Sequence, residues 1–308
     1  MSKKGPWQHA KSKLSVLLKN RYINALRGVP IPNSVGEKAQ SLIAGQLSSL
    51  PGALIGRIGA TEGKVIRHYL HARRGRGDPV AYPLPLNNEL RTHSGFFDPD
   101  DRAIDRFAEL YLRAAQAMTL RALWTPLDRG IVSSHSASCR LLDLDPFFAR
   151  SPWTLALEGR RVTVISPFAR SIHAQFEKRE LLFLRNTMPA FHLRTVIAPQ
   201  THCEQDASGQ DWFVNLDSMV QDALDHAPEI VIIGAGAYGL PAAAALSCKG
   251  IRTLVLGGAT QLLFGIRGRR WENDRAYARL MNSHWTRPAE EEQPKGFRKL
   301  EINGGAYW

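Results

Sequence analysis

Residues 229–258, EIVIIGAGAYGLPAAAALSCKGIRTLVLGG, decide the fold. Ile230-Val-Ile-Ile233 is a short apolar run bounded by turn residues, which reads as a strand. The spacing predicts a strand over 229–233, a glycine turn over 234–239, a helix over 240–249 and a strand over 252–256. Pro241 suits the first turn of that helix, where a missing N–H costs nothing. A further helix is expected over 212–226, ahead of the first strand. Strands alternating with helices at this spacing imply βαβ units and a parallel sheet.

The same style extends towards the start of the chain. A helix over 34–47 precedes a short apolar strand over 53–58, a turn over 59–63 and a helix over 64–72. Residues 73–99 read as a polar loop broken by glycine and proline. A long amphipathic helix is expected over 100–123 and a strand over 130–133. A strong strand over 159–165 ends at Ser166-Pro167, before a helix over 169–184 and a strand over 194–197. The expected architecture is α/β, a Rossmann-like open parallel sheet with helices on both faces. It forms a single domain over 34–308. Residues 1–33 are expected to be a basic amphipathic helix and linker. Leu14, Leu17, Leu18, Tyr22 and Leu26 share one face of a helix over 9–26, which Gly28-Val-Pro-Ile-Pro-Asn33 ends. Such a helix either packs on the body or rests its basic face on anionic lipid.

Composition sets the outer limits. In 308 residues, 44% hydrophobic and 22% charged content is that of a globular protein, which excludes a disordered chain, a collagen-like fibre or a coiled coil. No apolar run reaches the ~18–20 residues that cross a bilayer. The first residues lack the apolar core and cleavage site of a signal peptide. Cys139, Cys203 and Cys248 offer neither a disulfide framework nor a zinc spacing, so a reducing, cytoplasmic location is expected. Forty basic against 28 acidic residues gives a net charge of +12, which favours an anionic partner. Lys3, Lys4, Lys11, Lys13, Lys19, Arg21 and Arg27 precede any acidic residue. Arg267, Arg269 and Arg270 form a second cluster far away. Two separated clusters argue against a nucleic-acid stripe, and no nucleic-acid motif is present.

Several predicted strands end in small or polar residues: Gly59-Ala-Thr-Glu62, Ser166-Pro-Phe-Ala-Arg170, Gly234-Ala-Gly-Ala-Tyr-Gly239 and Gly257-Gly258. In a parallel sheet these ends share the edge where ligands bind. Glycine admits a ligand close to the backbone, and the following helix N-terminus offers N–H groups to an anion. A phosphate-bearing ligand is the leading inference. Gly234, Gly236 and Gly239 also fit the dinucleotide fingerprint, but the next strand ends without the carboxylate that binds ribose. A nicotinamide or flavin oxidoreductase and a non-catalytic nucleotide-binding protein therefore stand as alternatives. Glu62 can act as general base, hold a metal or cap the helix that follows. Arg267, Arg269 and Arg270, interleaved with glycines, suit a loop that closes on phosphates. His68 and His71 lack a third metal ligand, and the hydroxyl-rich stretch Ser133–Ser138 lacks a nucleophile elbow.

Arg57-Ile-Gly-Ala-Thr-Glu-Gly63, Val164-Ile-Ser-Pro-Phe168, Gly234-Ala-Gly-Ala-Tyr-Gly-Leu-Pro241 and the run from Leu256 to Trp271 together resemble a bacterial family found among surface-polysaccharide biosynthesis proteins. Trp285-Thr-Arg-Pro288 and Gly304-Gly-Ala-Tyr-Trp308 resemble that family's ending. More distantly, the chain resembles glycosyltransferases of the GT-D type, which carry Asp-x-Glu within Arg-Phe-Gly-Asp-Gly-Glu. Arg57, Gly59 and Glu62 match, while Ala60 stands where the aspartate belongs, so dependence on a divalent metal is in doubt. The resemblance implies a cytoplasmic, sugar-nucleotide-dependent glycosyltransferase in surface glycan assembly, at the inner membrane face where its acceptor is lipid-linked, or acting on a protein acceptor. Glu62 is the expected catalytic residue. The expected contacts to the nucleotide sugar are Arg57, Gly59, Thr61, Ser166, Arg170, Gly234, Gly236, Tyr238, Gly239, Gly257, Gly258, Gln261, Arg267, Arg269 and Arg270. The last three would offset the charge of the departing diphosphate, a role often filled by a metal.

Overall fold

The computed structural model describes residues 28–73, 80–98, 100–131, 136–200, 211–293 and 307–308. Seven strands occur along it: β1 (Leu54–Gly56), β2 (Leu120–Leu123), β3 (Ala137–Arg140), β4 (Arg161–Ser166), β5 (His192–Ile197), β6 (Ile230–Ile233) and β7 (Arg252–Val255). They form one sheet in the order β3-β2-β1-β7-β6-β4-β5, and every pairing is parallel. The longer helices are α1 (Glu37–Ser49), α2 (Ala60–Ala72), α3 (Leu84–Glu89), α4 (Asp101–Gln116), α5 (Ala169–Phe176), α6 (Trp212–Asp225) and α7 (Gly239–Ser247). The predicted helix over 9–26 lies outside the described residues.

Alternation along the central strands divides the core into two layers, because successive side chains of a strand point to opposite faces. Leu54, Ile165, Val231, Ile233 and Val255 join the buried residues of α2, α4, α6 and α7 on one face. Ile55, Val162, Val164, Ile230, Ile232 and Leu254 join those of α1 and α5 on the other. A strand buried on both faces has no polar side, which is why β6 is a continuous aliphatic run. The fold is thus the expected Rossmann-like α/β sheet with helices on both faces.

Five local readings need correction. The turn expected over 59–63 is already helical, since α2 starts at Ala60. The segment read as a loop over 73–99 holds α3 and a π-helical turn, Leu90–Ser94. The helix expected over 100–123 stops at Gln116, and its last residues are instead the buried strand β2. A strand was expected over 130–133, but the edge strand β3 lies at Ala137–Arg140, and residues 132–135 are outside the described set. The helix expected over 169–184 is interrupted after Phe176 and resumes as the short Arg179–Leu182.

No helix of the described residues is long and apolar enough to cross a membrane. Asn33, in the segment that leads into the domain, is tied to β3. Its N–H donates to Ser138 Oγ at 3.1 Å, and its Oδ1 accepts from Ser138 N at 2.9 Å.

Candidate functional site

In a parallel sheet all the carboxyl ends of the strands open on one edge, and a cavity of about 300 Å³ lies there. Residues that follow six of the seven strands line it: Arg57 and Gly59 to Glu62 after β1, Trp124 after β2, Pro167 and Phe168 after β4, Ala198 to Gln200 after β5, Gly234 to Gly236 after β6, and Gly257 and Gly258 after β7.

Arg57 sits at the centre of this arrangement. Its guanidinium lies 5.3 Å from the centroid of the Trp124 ring. Trp124 is held in turn, because its Nε1 donates to the Ile58 carbonyl at 2.8 Å. The turn that carries Trp124 is tied to the buried Asp128, whose Oδ2 accepts from the N–H groups of Trp124 and Thr125 at 3.0 and 2.9 Å. A Cβ on Gly257 would stand 2.5 Å from Arg57 Nη2, and Gly257 has φ +60°. The positive φ favours glycine there, and any side chain would press on the Arg57 guanidinium. Gly234 is equally constrained, since a Cβ would fall 2.6 Å from Thr260 Oγ1 and 2.8 Å from the Gly257 carbonyl. Arg57 forms no ion pair and no side-chain hydrogen bond with a described residue. The aromatic face of Trp124 leaves the guanidinium's N–H donors unpaired among the described residues.

Glu62 is 6% exposed and faces the same space. Its carboxylate folds back over Gly59, where any Cβ would collide with it. It accepts no hydrogen bond from a described residue, so capping does not explain it. Gly59 is the N-cap of α2 and supplies no side-chain cap, and Gly59, Ala60 and Thr61 at this helix start line the cavity. Tyr111, a buried residue of α4, receives the Gly59 N–H at 3.4 Å. Burial, and then the nearby Glu62 charge, push its phenol well above the usual range, so it remains a proton donor. Asp145, beyond β3, is also close enough to feel Arg57. Burial pushes its carboxyl up to about 6, against the Tyr277 hydroxyl that donates to it at 2.5 Å and against Arg57 itself.

The structure therefore gathers Arg57, Gly59, Thr61, Glu62, Gly234, Gly236, Gly257, Gly258 and Arg270 around one space, and leaves the other expected residues outside its lining. Ser166 turns inward to accept the Phe168 N–H at 3.2 Å. The N-terminus of α5 is already filled by the protein's own Glu292, which accepts from the N–H groups of Arg170 and Ser171 at 2.7 and 3.1 Å. The Arg170 side chain points away to an ion pair with Glu291. Tyr238 is core, its ring stacked on Trp212 with centroids 4.5 Å apart. Gly239 allows α7 to close on β7, since a Cβ would lie 3.3 Å from Val255 Cγ1. Gln261 is buried and donates to the carbonyls of Ile266 and Tyr307. The Arg267 N–H pairs with the Thr286 carbonyl at 2.6 Å, and Arg269 is exposed outside the lining.

Sequence reasoning missed Tyr111, Trp124, Glu89, His93, Ser94 and residues 198–200 as lining. Residues 198–200 follow the expected strand over 194–197, so the strand-end rule reaches them, whereas Trp124 follows β2, which the sequence reading gives as the end of a helix. Tyr307 and Trp308, quoted above only for the resemblance, also line the cavity. Tyr307 lies against Gly258, where a Cβ would strike its ring.

A divalent metal of the kind implied by Asp-x-Glu does not fit this donor set. Ala60 puts a methyl group where the first carboxylate belongs, and Glu89 is engaged by Lys64 at 2.5 Å and Thr61 at 3.3 Å. No group of three or more His, Cys, Asp or Glu suited to a metal occurs among the described residues. Hard divalent ions ask for several oxygen ligands, and Glu62 alone supplies too few.

No protein-family profile matches the chain, and no curated protein does. Among solved structures, the chain is similar to one described as the highly conserved domain of unknown function 1792 with a distinct glycosyltransferase fold. That match has 13% identity and a TM-score of 0.35, and covers 71% of this chain and 82% of that one. A selenomethionine-substituted structure of the same domain matches at 11% identity and a TM-score of 0.37, over 85% of this chain and 98% of that one. What the fold and cavity define by themselves is an α/β protein with a cationic, glycine-walled site at the carboxyl edge of its sheet.

Proposed function

We propose that this protein is a glycosyltransferase that uses a sugar nucleotide, with the diphosphate seated against Arg57 between the turns at Gly234–Gly236 and Gly257–Gly258. The observation that carries the reading is Arg57 itself, a guanidinium that makes no ion pair with a described residue and lies against Gly257, where an added Cβ would stand 2.5 Å from its Nη2. Glu62 lines the same cavity, and no described residue donates a hydrogen bond to its carboxylate. In the transfer, an acceptor hydroxyl gives its proton to Glu62 and bonds to the sugar carbon as the carbon–diphosphate bond breaks. Arg57 and Arg270 then offset the charge of the departing diphosphate, in the role that a metal fills elsewhere. The setting, surface glycan assembly in the cytoplasm, rests on the resemblance alone.

The dinucleotide alternative is weaker, because β7 runs into Leu256, Gly257 and Gly258 without a carboxylate for ribose. Thermal stability measured with a panel of sugar nucleotides, UDP, NAD and FAD tests the choice. A shift with a sugar nucleotide or UDP is expected. A shift with NAD or FAD alone overturns the reading. Glu62→Gln should keep the UDP shift and lose at least 100-fold in transfer, the span of a general base. Unchanged turnover would remove Glu62 from the chemistry.

A further inference from the structure

The cavity at the carboxyl edge has two unlike walls. One belongs to the core layer of α2 and α4, which holds Tyr111 and Leu90 of the π-helical turn. Its lining is polar: Thr61, Glu62, Glu89, His93 and Ser94. Thr61 Oγ1 donates to Glu89 Oε1 at 3.3 Å, and His93 Nδ1 lies 3.9 Å from the same oxygen. The other wall is aromatic. Tyr307 and Trp308 pack on the layer of α1 and α5, across the sheet from the first. Gln261 ties them there by donating to the Tyr307 carbonyl at 3.3 Å. Trp308 meets Phe168 and Tyr307 with ring centroids 6.4 and 5.8 Å away, each pair close to perpendicular.

Of the Phe, Tyr and Trp rings in the lining, Tyr111 and Phe168 are buried and Trp124 carries the Arg57 guanidinium. Tyr307 and Trp308 remain, both half-buried. Two consecutive glycines set them beside the cation. A Cβ on Gly257 would press on Arg57, and one on Gly258 would strike the Tyr307 ring. Successive Cα atoms are about 3.8 Å apart, so the guanidinium and the aromatic wall are neighbours. A planar base joined to a diphosphate matches that pair, because any base can stack on an aromatic side chain. Sugar hydroxyls suit the polar wall instead, where carboxylates and hydroxyls accept hydrogen bonds. We infer that Tyr307 and Trp308 are the platform on which a nucleobase stacks, with the diphosphate on Arg57 and the sugar turned towards Glu62. The placement of the sugar rests on the transferase reading, whereas the platform requires only a nucleotide.

Inorganic pyrophosphate separates the two parts of such a ligand, because it has the diphosphate and no base. Calorimetry on the full chain compares it with UDP, GDP, ADP and CDP. At least one nucleotide should bind more tightly than pyrophosphate. Trp308→Ala should weaken that nucleotide by at least about fivefold, the lower end of what a lost stacking ring costs. The same variant should leave pyrophosphate binding unchanged, and Trp308→Phe, which keeps a ring, should retain most of the nucleotide affinity. The nucleotide should also quench tryptophan emission beyond any effect of pyrophosphate, and Trp308→Phe should lose that extra quenching. Three outcomes overturn the platform: no nucleotide surpasses pyrophosphate, Trp308→Ala leaves the nucleotide unaffected, or pyrophosphate weakens in step with it. In the second case a sugar nucleotide that still binds leaves the transferase reading standing. If the nucleotide depends on Trp308 as expected, yet NAD binds more tightly than any sugar nucleotide, the platform stands and the transferase reading falls.

Discussion

Two residues at the site carry consequences that can be measured one at a time. Gly257 combines a positive φ of +60° with a position 2.5 Å from Arg57 Nη2 for any added Cβ. Gly257→Ala should cost about 1–2 kcal/mol from the left-handed backbone. It should also push the guanidinium off its place, so UDP affinity falls more than stability does. Thermal melts with and without UDP separate the two, and a variant that keeps its UDP shift would detach Arg57 from binding. Asp145 gives a pH signature. Its carboxyl rises from the usual 3.8 to about 6 in the folded chain, through burial in spite of Tyr277 and Arg57. Between those values the folded state holds a proton that the unfolded state has released. Stability therefore falls as pH rises through the window and levels off above it, by up to about 3 kcal/mol. Asp145→Asn removes the charge and keeps an oxygen for the Tyr277 hydroxyl. Its melting temperature relative to the parent should be higher at pH 8 than at pH 4.5. The reverse order would show that Asp145 is ionised and held by Arg57.

At the scale of elements, what could be read from the sequence follows from how burial writes itself into residue types. The β6–α7–β7 unit was legible because a strand covered on both faces has only aliphatic residues, and glycine marks where it turns. The helix α1 and strands β1, β4 and β5 were found within a few residues of their limits. β2 was not, because its four residues include Arg121 and because Met118 prolongs the apolar stripe of α4 made by Phe107, Tyr111, Ala114 and Ala115. β3, with Ser138 and Arg140 in four residues, has no apolar run at all. Losing β2 also lost Trp124, the ring beside Arg57. Tyr111 was hidden for a different reason. On α4 it has the spacing of any core residue, and only the fold reveals that its hydroxyl meets the Gly59 N–H. The reverse error arose at Tyr238 and Gln261, whose place in glycine-rich turns resembles a binding role, although the first packs on Trp212 and the second ties the chain to itself. A glycine turn announces a bend, and only the neighbours of its side chains decide whether a ligand or the core fills it.

The molecule as a whole turns these local features into one site by topology. β1, β7, β6 and β4 are neighbours in the sheet, so the turns that follow them are brought together from distant parts of the sequence. The opposite edge has its own contacts, such as Gly52 N–H to the Gly250 carbonyl at 2.9 Å, just ahead of the amino ends of β1 and β7. A nucleoside diphosphate bound at the carboxyl edge must therefore order several separate backbone segments at once. Hydrogen exchange with and without UDP should show slower exchange in peptides that cover 57–62, 234–236 and 257–258 together. Peptides over 50–53 and 248–251 should be unchanged at short labelling times. Short times matter, because ligand at 100 times its Kd also adds about 2.7 kcal/mol of global stability, which slows every amide that exchanges only on full unfolding. Local protection separates a common cradle from that general effect. If only one of the three segments were protected, or the amino edge equally so, the turns would not act as one site. The convergence of Arg57 and the glycines would then be a matter of chain reversal alone.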